Sequence, residues 1–236
     1  MAGEGSRFSN KEYTKPKPFI DVSGIPMIMR VLENLYIPNA QYILIAQEKH
    51  MKQEKALVSE IKKKFNVVFL VLDGLTEGTA STVLYAKKYI NNKQPLLIAN
   101  ADQLVDIDIN QFINNCIDRN LDGSILTFID KEMNPKWSYA KVDGKNLVIE
   151  VKEKVAISNI ATVGIYYYAK GKDYVDAAVE MIINNDRVSN EFYTCPVYNY
   201  AIKNSLKIGI YTIDTTKMHG LGTPEDLNLY LALFRD

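Results

Sequence analysis

The sequence predicts an α/β fold built on a mixed, mostly parallel central sheet. Two patterns carry this reading. Through the first half of the chain, short and nearly continuous apolar runs alternate with stretches of helical period, the signature of successive βαβ units. In the second half, strand-like runs follow one another across short Asp-Gly and Gly-Lys turn signals, so part of the sheet is expected to be antiparallel. The length of 236 residues, with 47% hydrophobic and 24% charged residues, is enough for one sizeable core and leads to a single domain over residues 1–236. It excludes disordered, collagen-like and low-complexity chains.

Residues 42–46, 67–72 and 95–99 are apolar segments bounded by polar residues, as strands covered on both faces should be, and are expected to form a parallel centre. Residues 26–35, 51–65 and 79–89 carry apolar positions at three- and four-residue spacing and read as the crossover helices, with Pro26 tolerated at a helix start. Strands follow at 124–129, 139–142, 147–151 and 162–168. Helices are then expected at 173–184 and 198–203, a last strand at 207–212, and a closing helix at 224–234 with Thr223 as its N-cap. The chain opens on a glycine-rich loop where a βα unit would place an apolar strand first, so that strand is expected upstream of Met1.

Twenty-eight basic residues balance twenty-eight acidic ones. A neutral chain is not built to coat nucleic acid or an anionic membrane, so any phosphate must be gripped locally. Cys116 and Cys195 stand far apart in no metal-like spacing, and no apolar run approaches the roughly 18 residues of a spanning helix. These features suit free thiols in a reducing cytoplasm. His50 and His219 are too few and too separated for a histidine zinc site, so a metal here would be a hard cation held by oxygen, with Mg²⁺ as the natural choice.

Several groups can carry chemistry, each with a plainer alternative. Gly3-Glu4-Gly5-Ser6-Arg7-Phe8, followed by Lys15-Pro16-Lys17-Pro18, offers backbone N–H groups and cations to a phosphate, and as glycine pairs alone it is equally a simple loop. Asp102 follows the strand at 95–99 at its carboxyl end, where open α/β sheets bind ligands, and suits either Mg²⁺ or an Asx turn. Glu153-Lys154 is a candidate pair or the solvent-facing alternation of an edge strand. Glu191 is a candidate or a surface loop residue. The tyrosines 166–168 alternate faces and read as core.

Taken together, Gly3-x-Gly5-x-Arg7-Phe8, Lys15-Pro16-Lys17-Pro18-Phe19, Gly24-x-Pro26-Met27-Ile28, Thr76-Glu77-Gly78-Thr79-Ala80, Asn100-Ala101-Asp102, Glu153-Lys154, Thr162-Val163-Gly164-Ile165-Tyr166 and Gly222-Thr223-Pro224-Glu225-Asp226-Leu227 resemble, in order, the nucleotidyltransferases that make nucleotide sugars. The resemblance is strongest to bacterial capsule and lipopolysaccharide enzymes, cytidylyltransferases among them. It implies a Rossmann-like αβα sandwich and transfer of a nucleotide from a nucleoside triphosphate to a phosphorylated small molecule, with release of pyrophosphate and dependence on Mg²⁺. It also implies roles: Arg7, Lys17 and Asp102 in catalysis, with Asp102 on the metal, and Ala2, Gly3, Gly5, Asp73, Gly78 and Thr79 around the nucleotide. Glu153, Lys154 and Glu191 would meet the acceptor, which could be phosphoglutamine, a sugar 1-phosphate or phosphocholine. A homodimer is compatible with it, and neither nucleic acid nor membrane is an expected partner.

Two departures matter. Many sugar-nucleotide members place a second metal-binding aspartate where this chain has Gly220, which leaves Asp102 as the one expected carboxylate; His219 beside it reads as a packing residue. Thymidylyl and uridylyl members typically present a glutamine where this chain has Asp73. A carboxylate only accepts hydrogen bonds, and cytosine alone among the pyrimidines offers an exocyclic amino donor, so Asp73 points to CTP unless Asp73-Gly74 is merely a turn. A catalytically silent nucleotide-binding scaffold and a glycosyltransferase using Asp106-Ile107-Asp108 remain as alternatives from other classes.

Overall fold

A computed structural model describes residues 1–3, 5–8 and 13–233. Its elements run β1 (Asp21–Val22), β2 (Ile25–Pro26), α1 (Met27–Asn34), β3 (Tyr42–Gln47), α2 (Glu48–Gln53), α3 (Lys55–Lys64), β4 (Val67–Leu72), α4 (Thr79–Leu84), α5 (Lys87–Ile90), β5 (Leu96–Ala99) and β6 (Gln103–Val105). The chain continues through α6 (Ile109–Asp118), β7 (Gly123–Ile129), β8 (Ser138–Val142), β9 (Val148–Glu153), β10 (Ile160–Tyr168), α7 (Gly171–Ile183), α8 (Val197–Lys203), β11 (Ile208–Ile213), β12 (Met218–Gly220) and α9 (Pro224–Leu233). Among the described residues no helix is long and apolar enough to cross a membrane. Residue 4 of the N-terminal loop and residue 234 of the expected closing helix lie outside the described residues.

The chain divides into two compact units. The first comprises residues 1–75, 100–109 and 218–236. In it β3 and β4 pair in parallel, from Tyr42 opposite Val67 to Gln47 opposite Leu72, as two covered apolar strands should. Helix α1 turns Ile28, Met29 and Leu32 into a cluster with Phe19, Leu44, Val58 and Ile61. Full burial of each such side chain contributes about 1.5–3 kcal/mol. A short antiparallel ladder, β6 with β12, sets Gly220 opposite Gln103 and His219 opposite Leu104.

The second unit comprises residues 76–99 and 110–217 and holds a six-stranded sheet in the order β11-β7-β10-β8-β9, with β5 also on β10. The sheet is mixed, as expected, but less parallel than expected: β11 pairs with β7 in parallel, whereas β10 runs antiparallel to β5, β7 and β8, and β8 to β9. Strand 95–99 therefore does not extend a parallel centre with 42–46 and 67–72. The tight turn around Asp143-Gly144 can join only antiparallel neighbours and so sets β8 against β9, and β10 runs antiparallel to β5, β7 and β8.

The expected helix 51–65 is broken at Glu54 into α2 and α3, and 79–89 at residues 85–86 into α4 and α5. Tyr166, Tyr167 and Tyr168 are all buried, and the Tyr168 ring stacks on Tyr198 at 4.6 Å. Cys116 and Cys195 are buried free thiols, both pushed upward in pKa by burial. Thr223 caps α9, its hydroxyl accepting from the Asp226 N–H at 3.1 Å.

Candidate active site

In the first unit, residues distant in sequence converge on Asp102. Pro16 and Pro18 bracket Lys17 in a short 3₁₀ turn, Lys17–Phe19, where Pro18 is tolerated because the first-turn N–H groups have no partner within the turn. The Lys17 ammonium donates to the Asp102 carboxylate and, at 3.1 Å, to the Gly222 carbonyl. The ladder of β6 and β12 brings the last of these in, and the Leu221 N–H donates to the Asp102 carbonyl at 2.8 Å. A Cβ on Gly222 would stand 3.5 Å from Asp102 Oδ2, 3.8 Å from Asp226 Oδ2 and 4.0 Å from Lys17 Nζ. A Cβ on Gly220 would lie 3.7 Å from the Asp226 carboxyl carbon. The space a side chain at 220 would enter is therefore bordered by Asp226.

The N-terminal loop is tied to the same centre. Gly5 has φ +66°, and a Cβ there would press on the Lys17 Cβ at 3.0 Å, so the loop requires a residue without one. The Phe8 ring lies 5.5 Å from Lys17 Nζ and meets Tyr13 edge-on. Ala2 is held at the carboxyl end of β3, its carbonyl accepting from Gln47 Nε2 at 2.6 Å, while Gly3 is exposed. Arg7 is exposed on the turn Ser6–Phe8; among the described residues the cation paired with Asp102 is Lys17. Asp73 is exposed just beyond β4. The Asp106 carboxylate accepts from His219 Nε2–H at 2.7 Å, and that ring meets Tyr230 edge-on.

The oxygens near Asp102 are the Asp226 carboxylate and the Gly222 carbonyl, with the Lys17 ammonium against Asp102 itself. Among the described residues no cluster of three or more His, Cys, Asp or Glu could hold a metal, and one or two carboxylates without sulfur fit a hard cation such as Mg²⁺ only when phosphate and water complete its shell.

The second unit holds the remaining candidates. Gly78 adopts φ +121°, and a Cβ there would collide with the Phe192 backbone N and O, both at 2.5 Å. The flanking peptides form a short ladder: Phe192 N–H donates to Glu77 carbonyl at 2.8 Å and Ala80 N–H to Phe192 carbonyl at 2.9 Å. The Gly78 carbonyl accepts from the hydroxyls of Thr76 and Thr82, both at 3.0 Å. Thr79 is turned to Thr194, its hydroxyl accepting from that residue's N–H and hydroxyl, each at 3.0 Å.

Glu153 ends the edge strand β9 and Lys154 follows it; burial alternates here, with Val151 and Glu153 inward and Lys152 and Lys154 outward, so Lys154 faces solvent and Glu153 does not. Glu153 is buried, accepts from the Ser138 hydroxyl, and has its carboxyl pushed upward in pKa chiefly by burial. Lys154 adopts φ +57°, its N–H donating to the Trp137 carbonyl at 3.1 Å, and this kink turns its side chain out to donate to Tyr193 Oη at 2.5 Å. Its pKa is raised by that hydrogen bond first, and by the charges of Glu153 and Glu191. Tyr139 and Trp137, by contrast, serve the sheet: Tyr139 Oη is bonded to Asp130 and the Asn134 carbonyl, and Trp137 packs edge-on against Phe128.

The geometry thus adds two residues that sequence reasoning passed over. Asp226 lay inside the quoted C-terminal motif, but only the fold shows that it faces Gly220 and Gly222. Tyr193 stands two positions after Glu191, the spacing that puts extended residues on one face.

The chain matches the family model for nucleotidyl transferases over residues 1–211 and belongs to that family. The bifunctional protein GlmU of Methanococcus aeolicus is 26% identical over 171 residues, covering 71% of this chain and 38% of that protein. The chain thus spans less than half the length of this relative. Among solved structures, a nucleoside-diphosphate-sugar pyrophosphorylase from Vibrio cholerae RC9 superimposes with a TM-score of 0.82 at 25% identity, covering 98% of each chain. An inositol-1-phosphate CTP transferase from T. maritima shares the fold at 13% identity, with a TM-score of 0.71 over 97% of this chain and 90% of that one. These neighbours agree with the Rossmann-like architecture.

Proposed function

We propose that this chain joins a nucleoside triphosphate, CTP by preference, to a phosphorylated small molecule and releases pyrophosphate. The observation that carries the reading is the convergence of Lys17, Asp102 and Gly222, brought together from three separated motifs. A phosphate monoester has a second pKa near 6 and is already nucleophilic at pH 7, so the reaction needs no general base. The obstacle is repulsion between two anions and the charge gathering on departing pyrophosphate. Lys17, Arg7 and the N–H groups of the glycine loop lower it by position and charge. Asp102 would hold Mg²⁺, with Asp226 beside it, and the ion would neutralise phosphate oxygens. In the second unit, the Gly78 turn would meet the base through main-chain groups other than those bound to Phe192, Thr76 and Thr82, while Lys154 would meet the acceptor phosphate and Glu153 and Glu191 its polar groups.

The choice of CTP rests on Asp73, whose carboxylate matches the amino donor of cytosine. The acceptor class best supported by the similar proteins is a sugar 1-phosphate, because the Vibrio cholerae neighbour is a nucleoside-diphosphate-sugar pyrophosphorylase. A uridylyl or thymidylyl transfer to such a sugar phosphate is the second reading. Phosphoglutamine, as in a capsule cytidylyltransferase, and phosphocholine complete the acceptors to be tried. The test is pyrophosphate release from CTP, UTP, dTTP, ATP and GTP with Mg²⁺ and glucose 1-phosphate, glucosamine 1-phosphate, mannose 1-phosphate, phosphoglutamine or phosphocholine. Acceptor-dependent release, fastest with CTP, is the expected result; no release from any pair would refute the activity.

A further inference from the structure

The segment 191–194 presents two different faces, and they alternate. Phe192 and Thr194 are bound to the Gly78 turn, through the peptide ladder to Glu77 and Ala80 and through the Thr79 hydroxyl. Glu191 and Tyr193 occupy the other face, toward Lys154. In an extended chain successive side chains point oppositely, so one rigid segment can fix two neighbourhoods at once.

We infer that Tyr193 is a positioning residue for the acceptor: its hydroxyl and ring hold the Lys154 ammonium where it meets the acceptor phosphate. The inference rests on the reading of Lys154 given above. A lysine ammonium carries several rotatable bonds of freedom, and an exposed one spends little time in any single place. Lys154 escapes this in two ways. Its backbone is kinked into the left-handed region, and its ammonium is bonded to Tyr193 Oη at 2.5 Å, with Nζ 4.4 Å from the ring centroid. A phenol hydroxyl accepts from the ammonium through a lone pair and leaves the other ammonium protons for phosphate oxygens. Tyr193 therefore orders the cation without adding a negative charge to those of Glu153 and Glu191, which already act on Lys154. Arg187 secures the base of the segment: its guanidinium lies 4.0 Å over the Phe192 ring and pairs with Glu77.

The inference predicts that Tyr193→Phe, which keeps the ring, raises the KM for acceptor by about tenfold, the size of one lost hydrogen bond to a charged group, and leaves the KM for nucleoside triphosphate unchanged. Lys154→Ala should raise the acceptor KM further. The double variant Lys154→Ala/Tyr193→Phe should equal Lys154→Ala, because a residue acting only through Lys154 has nothing left to act on. Thr79→Val, which disturbs the other face of the segment, should shift both KM values together. The acceptor is whichever of the five phosphates above gives the fastest turnover. An acceptor KM unchanged in Tyr193→Phe, or fully additive effects in the double variant, overturns the role of Tyr193 while leaving the site intact. An acceptor KM unchanged in Lys154→Ala, or an enzyme inert toward all five phosphates, overturns the reading of the site, and the inference falls with it.

Discussion

Lys17 and Asp102 are 85 positions apart, and their pairing shows what sequence can and cannot give at the scale of single residues. Each stood out because it sat in a motif with chemical sense: a lysine between prolines and an aspartate at the carboxyl end of a strand. That they touch, and share Gly222 as a neighbour, follows only from the β6–β12 ladder. Asp102→Ala is expected to abolish Mg²⁺-dependent turnover and weaken Mn²⁺ binding while the far-ultraviolet circular dichroism stays native. Wild-type turnover in that variant would remove Asp102 from the site. Lys17→Ala and Arg7→Ala should each lower kcat/KM by roughly a hundredfold, as lost charge stabilisation around a transferring phosphoryl group does. Normal rates in both would make the N-terminal loop merely structural. Asp73→Asn should erode the preference for CTP over UTP, since an amide can present either donor or acceptor to the ring, a difference worth about 1–3 kcal/mol. Competition between the two triphosphates measures it directly.

At the scale of elements, Gly78 and Glu153 give the sharpest expectations. Gly78→Ala adds a Cβ at 2.5 Å from the Phe192 backbone at a position of φ +121°. It should lower stability by more than the roughly 1–3 kcal/mol that an unfavourable backbone conformation costs alone. Thermal unfolding will read this, and an unshifted midpoint would contradict the packing. Glu153 is raised in pKa by burial, so the folded chain holds its proton to higher pH than the unfolded chain does. Stability contributed by this group is present at acid pH and falls as pH rises from the ordinary glutamate range through the raised value. Glu153→Gln should remove that decline, so the midpoint difference between variant and wild type should grow in the variant's favour across that window. Apolar runs and turn residues made β3, β4, β7 to β11 and the closing helix legible. Helix α6 was not foreseen, although Ile109, Phe112, Ile113 and Cys116 follow a helical period, and the breaks at Glu54 and at residues 85–86 left no glycine or proline to mark them.

For the whole molecule, the fold class and the mixed sheet could be read from alternating patterns, but the partners of each strand could not. Residues 95–99 look like any covered strand, and period and composition do not say that β10 will take them antiparallel. The candidate site divides in the same way. Glu153 and Lys154 were legible as a motif, whereas the burial of one and the kink that turns the other out to Tyr193 depend on the register of β8 against β9 and on the chain after α7. In the proposed reaction a phosphate monoester becomes one end of a new diphosphate. Phosphorus-31 spectroscopy of the complete reaction, with the triphosphate, the best acceptor and Mg²⁺, observes each species in one tube. The acceptor monoester signal is expected to disappear as two coupled diphosphate signals and an equal amount of pyrophosphate grow in, with no change in a parallel sample of Asp102→Ala. Inorganic phosphate growing at the expense of the triphosphate, with the acceptor signal unchanged, would contradict it.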